Sequence, residues 1–203
     1  MVKSELIAAK LSGADLSYTN LRAANLLAAN LCGAKFKKVN LRQANLERAN
    51  LNWANITEGR LTEARLKATT LSEANCSQTL LKNVDLSNAN LAEINFSQAI
   101  LSDSNLTNAN LTRANLEAAR MHKINLTGAN LTGAKLFRAN LERANLTDAN
   151  FVLADLRFAN LRQAILANAN LEWAAIDNTI FSTDRTEVNY DNCCAVSVGG
   201  SSL

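Results

Sequence analysis

A chain of 203 residues and 21.9 kDa, 48% apolar, 19% charged and net +3, has the size and composition of one domain with enough apolar surface for a core. Its apolar runs are only a few residues long, which excludes a membrane-spanning helix. The opening Met1-Val2-Lys3-Ser4-Glu5 lacks the apolar region of a signal peptide, so a cytoplasmic location with no membrane partner is expected.

The chain enters a repeat at once. Every fifth residue from Leu6 to Phe181 is apolar, and 28 of these 36 positions are Leu. The others are Phe36, Ile56, Cys76, Phe96, Met121, Phe151, Ile176 and Phe181. Two residues earlier stands a small side chain, Ala in 25 cases, and one residue earlier stands Asn or Asp in 23. The unit is A-(N/D)-L-x-x.

Neither regular element accommodates that period. On an α-helix five residues turn through about 500°, so the leucines would spray around the axis. On a continuous strand they would alternate faces, leaving half in water. The pattern closes if the backbone turns a corner every five residues, each pentad forming one side of a coil whose leucines meet at the axis. Four sides give 20 residues per coil and nine coils, a rod on the order of 40 Å long at roughly 4.8 Å per coil. Three sides would also close.

The repeat, covering about nine-tenths of the chain, resembles the pentapeptide-repeat family. That resemblance implies an all-β fold, a right-handed quadrilateral β-helix with Leu and the preceding small residue inward, and it supplies the four-sidedness. Ala leaves room for the next leucine around a narrow square. Asn and Asp tolerate unusual backbone angles, bond their own backbone, and stack into side-chain ladders.

With 20-residue coils, positions 20 apart stack, and each wall can be read for charge. The Leu21 wall carries Arg22, Arg42, Arg60, Lys82, Arg120, Lys123, Arg143 and Arg162, opposed only by Glu63, Asp103 and Glu142, a net of +5; the other walls come to −1, −1 and +1. This basic wall is a candidate anion-binding face, although no aromatic residue interleaves for base stacking, and nucleic acid is not the expected partner. His122 lies there beside Lys123 with no evident dyad partner. A candidate apolar contact patch forms on the neighbouring walls, where Leu153 and Trp173 stack beyond Gly133 with Val152 alongside, and Phe137 and Phe158 point outward near the same end. Trp53, above Gly33, reads as a gap filler.

Cys76 replaces a core Leu, Cys32 points outward, and Cys193 and Cys194 are adjacent in the tail, so neither a metal site nor a disulfide framework is expected. Ser182 to Leu203 loses the repeat, is net −2, and is expected to supply a partial cap through Val188, Tyr190, Val196 and Val198 or to remain flexible. An uncovered first coil leaves a monomer or an end-to-end homodimer as the expected states. No phosphate-cradling glycine loop, H-E-x-x-H, paired C-x-x-C or G-x-S-x-G appears, and no cofactor or catalysis is expected. The leading expectation is a structural or protein-interaction scaffold. Some members of the resembled family bind type II topoisomerases by imitating duplex DNA, but that role needs anionic walls that this chain lacks.

Overall fold

The computed structural model describes residues 3–182, which make nine turns of a four-sided coil. The register is direct: Asn20 pairs in parallel with Asn40, Asn40 with Arg60, and Asn90 with Asn110, always 20 residues on. Pairing is confined to single-residue bridges at the corners, with one two-residue pair, β1 (Asn160–Leu161) against β2 (Ile180–Phe181). No helix is present among the described residues.

One pentad shows how the backbone is satisfied. The amide of Leu21 donates to Asn40 O at 2.8 Å in the next coil, that of Ala23 to Arg42 O at 2.9 Å, and that of Asn25 to Ser4 O in the previous coil at 2.8 Å. Ala24 closes the turn on Leu21 O at 3.0 Å. The remaining amide, Arg22, faces no coil, and Asn20 Oδ1 accepts it at 3.2 Å. Asn is therefore placed by backbone accounting, since a short side chain two residues upstream supplies the one acceptor that the winding cannot. Its amide group then bonds the next Asn of the column, as in Asn40 Nδ2 to Asn20 Oδ1 at 3.1 Å.

The unusual backbone angles lie elsewhere than the sequence suggested. They fall not on the Asn or Asp before each leucine but on the second residue after each core apolar position from Leu6 to Ile176, and on Lys3 after Met1. All 36 of these turn residues have positive φ, 32 of them are not glycine, and only seven of the 32 are Asn or Asp. A positive φ at this turn position, together with the closing bond, marks a type II turn. Side chains branched at Cβ fit it worst, and no Val, Ile or Thr occupies any of the 36 positions.

Inside the square, Leu and Ala alternate around a core without exposure, including Phe36, Phe96 and Phe151. The buried hydroxyls are all bonded: Thr69 Oγ1 donates to Leu46 O at 2.8 Å, Thr79 Oγ1 to Ile56 O at 3.0 Å and Ser104 Oγ to Leu81 O at 2.7 Å. Burial falls off at the ends, where Leu6, Leu11 and Leu16, and again Ile176 and Phe181, are only partly covered. The predicted tail contacts of Val188, Tyr190, Val196 and Val198, and the residues Cys193 and Cys194, lie outside the described residues.

The inter-coil ladder has one internal opening. Among the described residues the amides of Leu66, Ala68, Leu71, Asp85 and Asn90 find no backbone acceptor, and the Thr70–Asn90 bridge is missing. Here Arg60, Arg65 and Thr70 stand in succession where the corner Asn is usual, so the amides of Thr62, Lys67 and Ser72 lose the Oδ1 of their own corner. Among the described residues only Ser72 finds another, Asn52 Oδ1 at 3.0 Å. Hydrogen exchange should detect this joint: the amides of Leu66, Leu71 and Asn90 should exchange ahead of Leu106, Leu111 and Asn130, their counterparts two coils further along.

Candidate functional site

The eight cations of the Leu21 wall are all exposed and lie in columns running down one side of the rod. Of these, only Lys82 makes an ion pair among the described residues, with Asp103 at a long 3.9 Å. Arg22 donates to Gln43 Oε1 at 3.3 Å, Gln43 in turn to Glu63 at 3.0 Å, and Arg143 Nε to Gln163 Oε1 at 2.6 Å. The Arg22–Arg42–Glu63 region holds a dent of about 160 Å³. That is below the 300–1,000 Å³ usual for a ligand pocket, so this dent offers charge rather than enclosure.

The apolar residues form a more structured surface. Leu153 and Trp173 stand one coil apart on the Leu11 wall and are 64% and 55% exposed, while Phe158, on the adjoining Leu16 wall, is 47% exposed. Five of the eight large exposed apolar side chains among the described residues fall between 153 and 180, the others being Ile165 and Ile180. Trp53, 58% exposed, stands apart near the other end.

Phe137, expected to point outward, is half-buried, as is Val152 beside Leu153. Phe158 meets the Phe137 ring edge-on at 5.5 Å between centroids. The guanidinium of Arg138 lies 5.0 Å above the Phe137 ring and that of Arg157 lies 5.9 Å away. A flanking guanidinium on an aromatic face is held by the ring quadrupole, and the ring loses solvent exposure in the process. Arg157 is held in turn by a bidentate pair with Asp155, Nε to Oδ1 and Nη2 to Oδ2 both at 2.8 Å. These bonds from Arg157 hold the Asp155 carboxyl below its usual range.

Between Leu153 on one wall and Phe137 on the other, the corner is cut by a groove of about 500 Å³. Its floor passes Gly133, Ala134 and Lys135, and Glu117 and Arg157 form part of its rim. Sequence reading found the stacked Gly133–Leu153–Trp173 column but not the groove, which depends on Phe137 folding against the corner.

Nothing in either place assembles catalytic machinery. No cluster of three or more His, Cys, Asp or Glu able to hold a metal occurs among the described residues. Burial pushes the Cys76 thiol up to about 12, so this sulfur stays protonated and inert at neutral pH. Cys32, half-buried, is also a free thiol. No helix among the described residues is long and apolar enough to cross a membrane.

Comparison with known proteins agrees with this architecture. Family models for a pentapeptide repeat region and for pentapeptide repeats match residues 77–151 and residues 4–31, 24–62 and 154–182 respectively. No curated protein matches significantly. Among solved structures, HetL, a pentapeptide-repeat protein involved in heterocyst differentiation regulation from the cyanobacterium Nostoc sp. strain PCC 7120, is 34% identical. The match covers 89% of this chain and 87% of HetL, with a TM-score of 0.63. Rfr23 from the cyanobacterium Cyanothece 51142 is 28% identical over 57% of this chain and 88% of its own, at a TM-score of 0.45. A trypsin-treated form of QnrB1, a plasmid-mediated fluoroquinolone resistance protein, shares the fold at 14% identity over 83% of this chain and 90% of its own, with a TM-score of 0.50. With its unbroken five-residue period, its nine-coil square helix and family models matching most of its length, this chain belongs to the pentapeptide-repeat family.

Proposed function

We propose that this protein is a non-enzymatic interaction rod that binds a protein partner through the corner bearing Phe137, Leu153, Phe158 and Trp173. The observation that carries this reading is the gathering of most exposed large apolar side chains at one end of an otherwise polar surface. Exposed aromatic and aliphatic side chains beside arginines have the composition of interface cores. A filled core and the absence of any acid–base or metal cluster among the described residues favour presentation of side chains over chemistry. The likeness to HetL, a protein involved in heterocyst differentiation regulation, is in keeping with a binding function.

Duplex mimicry receives no support from charge, since a chain of net +3 with a basic wall is the wrong sign for a basic DNA-binding saddle. The test is affinity capture from lysate of the source cell, with bound proteins identified by mass spectrometry. A Leu153→Ser/Trp173→Gln double variant should lose a partner that an Arg42→Glu/Arg143→Glu/Arg162→Glu variant retains. The reverse pattern, or retention of the partner on heparin-like polyanions alone, would reject the apolar corner as the contact.

A further inference from the structure

We propose that the groove over Gly133 receives one bulky apolar side chain of an acidic segment in the partner, with a neighbouring carboxylate of that segment bound by Lys135. This rests on the apolar corner being the contact surface, and it adds where and by what chemistry the partner is held. The first ground is shape. In its column Gly133 lies between Arg113 and Leu153, and the missing side chain leaves a notch whose walls are Leu153 on one side and Phe137 on the other. The Phe137 wall is braced by Phe158, Arg138 and Arg157, so the notch is formed before any ligand arrives. Rigid walls of this kind lower the ordering cost of binding.

The notch is not there because the backbone demands glycine. Gly133 has φ of +66°, yet 32 non-glycine residues hold a positive φ at equivalent turns, Gln43, Gln78, Gln98 and Gln163 among them. A Cβ added at 133 would meet only Arg113 Cγ, at an ordinary 3.6 Å. A side chain could stand here as it does at most other turns, and what its absence creates is the recess.

The second ground is charge. Lys135 pairs in register with Asp155, but that carboxylate is already bound at both oxygens by Arg157. The Lys135 ammonium thus makes no ion pair among the described residues, and Arg138 makes none either. Against them the groove offers one unpaired anion, Glu117, on its far rim. A slot walled by Leu153 and Phe137 beside the spare Lys135 ammonium, with the Arg138 guanidinium held on the Phe137 ring but in no ion pair, complements an apolar side chain flanked by Asp or Glu, and an ion pair there fixes orientation. A segment with basic flanks would meet like charge.

The experiment pans a displayed library of random peptides against the full chain and measures the selected peptides by fluorescence anisotropy. Selected peptides should carry a Leu, Phe or Trp with Asp or Glu within a few positions. Gly133→Gln, which fills the notch with a residue the turn already accepts, should weaken them by about tenfold or more, the scale of losing a buried anchor. Gly33→Gln, in the same column at the other end of the rod, should leave them unchanged. Lys135→Asn, which installs the usual corner residue, should cost up to about fivefold and remove most of the salt dependence.

Peptides that bind equally to Gly133→Gln but not to Leu153→Ser/Trp173→Gln would overturn the notch while sparing the corner reading. Binding insensitive to both would overturn both. No selected peptides, selection of basic peptides, or a dimer in sedimentation that Gly133→Gln dissociates would each reject an acidic peptide as the occupant, the last in favour of a second copy of this chain.

Discussion

Leu111→Ala should lower the unfolding free energy by about 2–5 kcal/mol, the range for emptying a fully buried leucine site, whereas Leu11→Ala should cost clearly less. The two leucines occupy the same column of the same wall and differ only in place along the rod. Leu111 has no exposure and lies between Leu91 and Leu131, with a covered coil on either side. Leu11 is half-buried because no described coil precedes it, so part of its surface already meets water and less contact is lost on truncation. Stacked repeats contact only their neighbours, so their stability is a sum of local terms with weaker sums at the ends. Urea unfolding of both variants, followed by far-ultraviolet circular dichroism, measures the difference. Equal losses would mean that the first coil is covered as fully as the middle. A Leu11→Ala transition that broadens while Leu111→Ala shifts as a whole would locate fraying at the first coil.

That contrast draws on the part of the molecule most legible in the sequence. The column Leu11, Leu31, Leu51 to Leu171 could be read because a fixed period with an apolar residue at each step admits few windings, and the register Asn90 to Asn110 to Asn130 follows it without a slip. The number of sides was not legible, because closure depends on how far each turn bends the chain, and the period carries no angle. The left-handed turn positions were hidden for a different reason. Arg113, Glu73 and Trp53 look like ordinary surface residues, and the only trace of their positive φ is that no Val, Ile or Thr is found at those sites.

At the candidate site the split is similar. Leu153 above Gly133 followed from counting by 20. The inward lean of Phe137 did not, because it comes from contacts with Phe158, Arg138 and Arg157 that belong to two different coils. The loosened joint at Leu66 and Leu71 left a faint sign in Arg65 and Thr70 standing where Asn usually stands. Reading that sign required knowing that Asn Oδ1 serves the one amide the coils leave over.

Gly59→Ala should destabilise the protein by about 1–3 kcal/mol, the usual cost of overpacking a close-packed interior, although Ala fills this inward position in 25 of the 36 pentads. The reason is the preceding core residue. A Cβ at 59 would come within 2.8 Å of Ile56 Cγ2, 2.9 Å of Ile56 O and 3.2 Å of Leu61 Cδ1. Leucine branches one carbon further out and leaves that space open, whereas the Cβ branch of Ile56 occupies it. Ile176, the other isoleucine in a core position, is followed by Thr179, but it sits partly covered in the last described coil, where a side chain can give way. In the interior Ile56 is fully buried and cannot. Ile56→Leu should therefore rescue Gly59→Ala. The double variant restores the repeat's own Leu–x–x–Ala pairing and should recover most of the loss, giving a coupling energy of about 1–2 kcal/mol in a double-mutant cycle. Additive losses would show that the carbonyl of Ile56, not its branched side chain, sets the limit at this turn, and that glycine at 59 answers to backbone geometry alone.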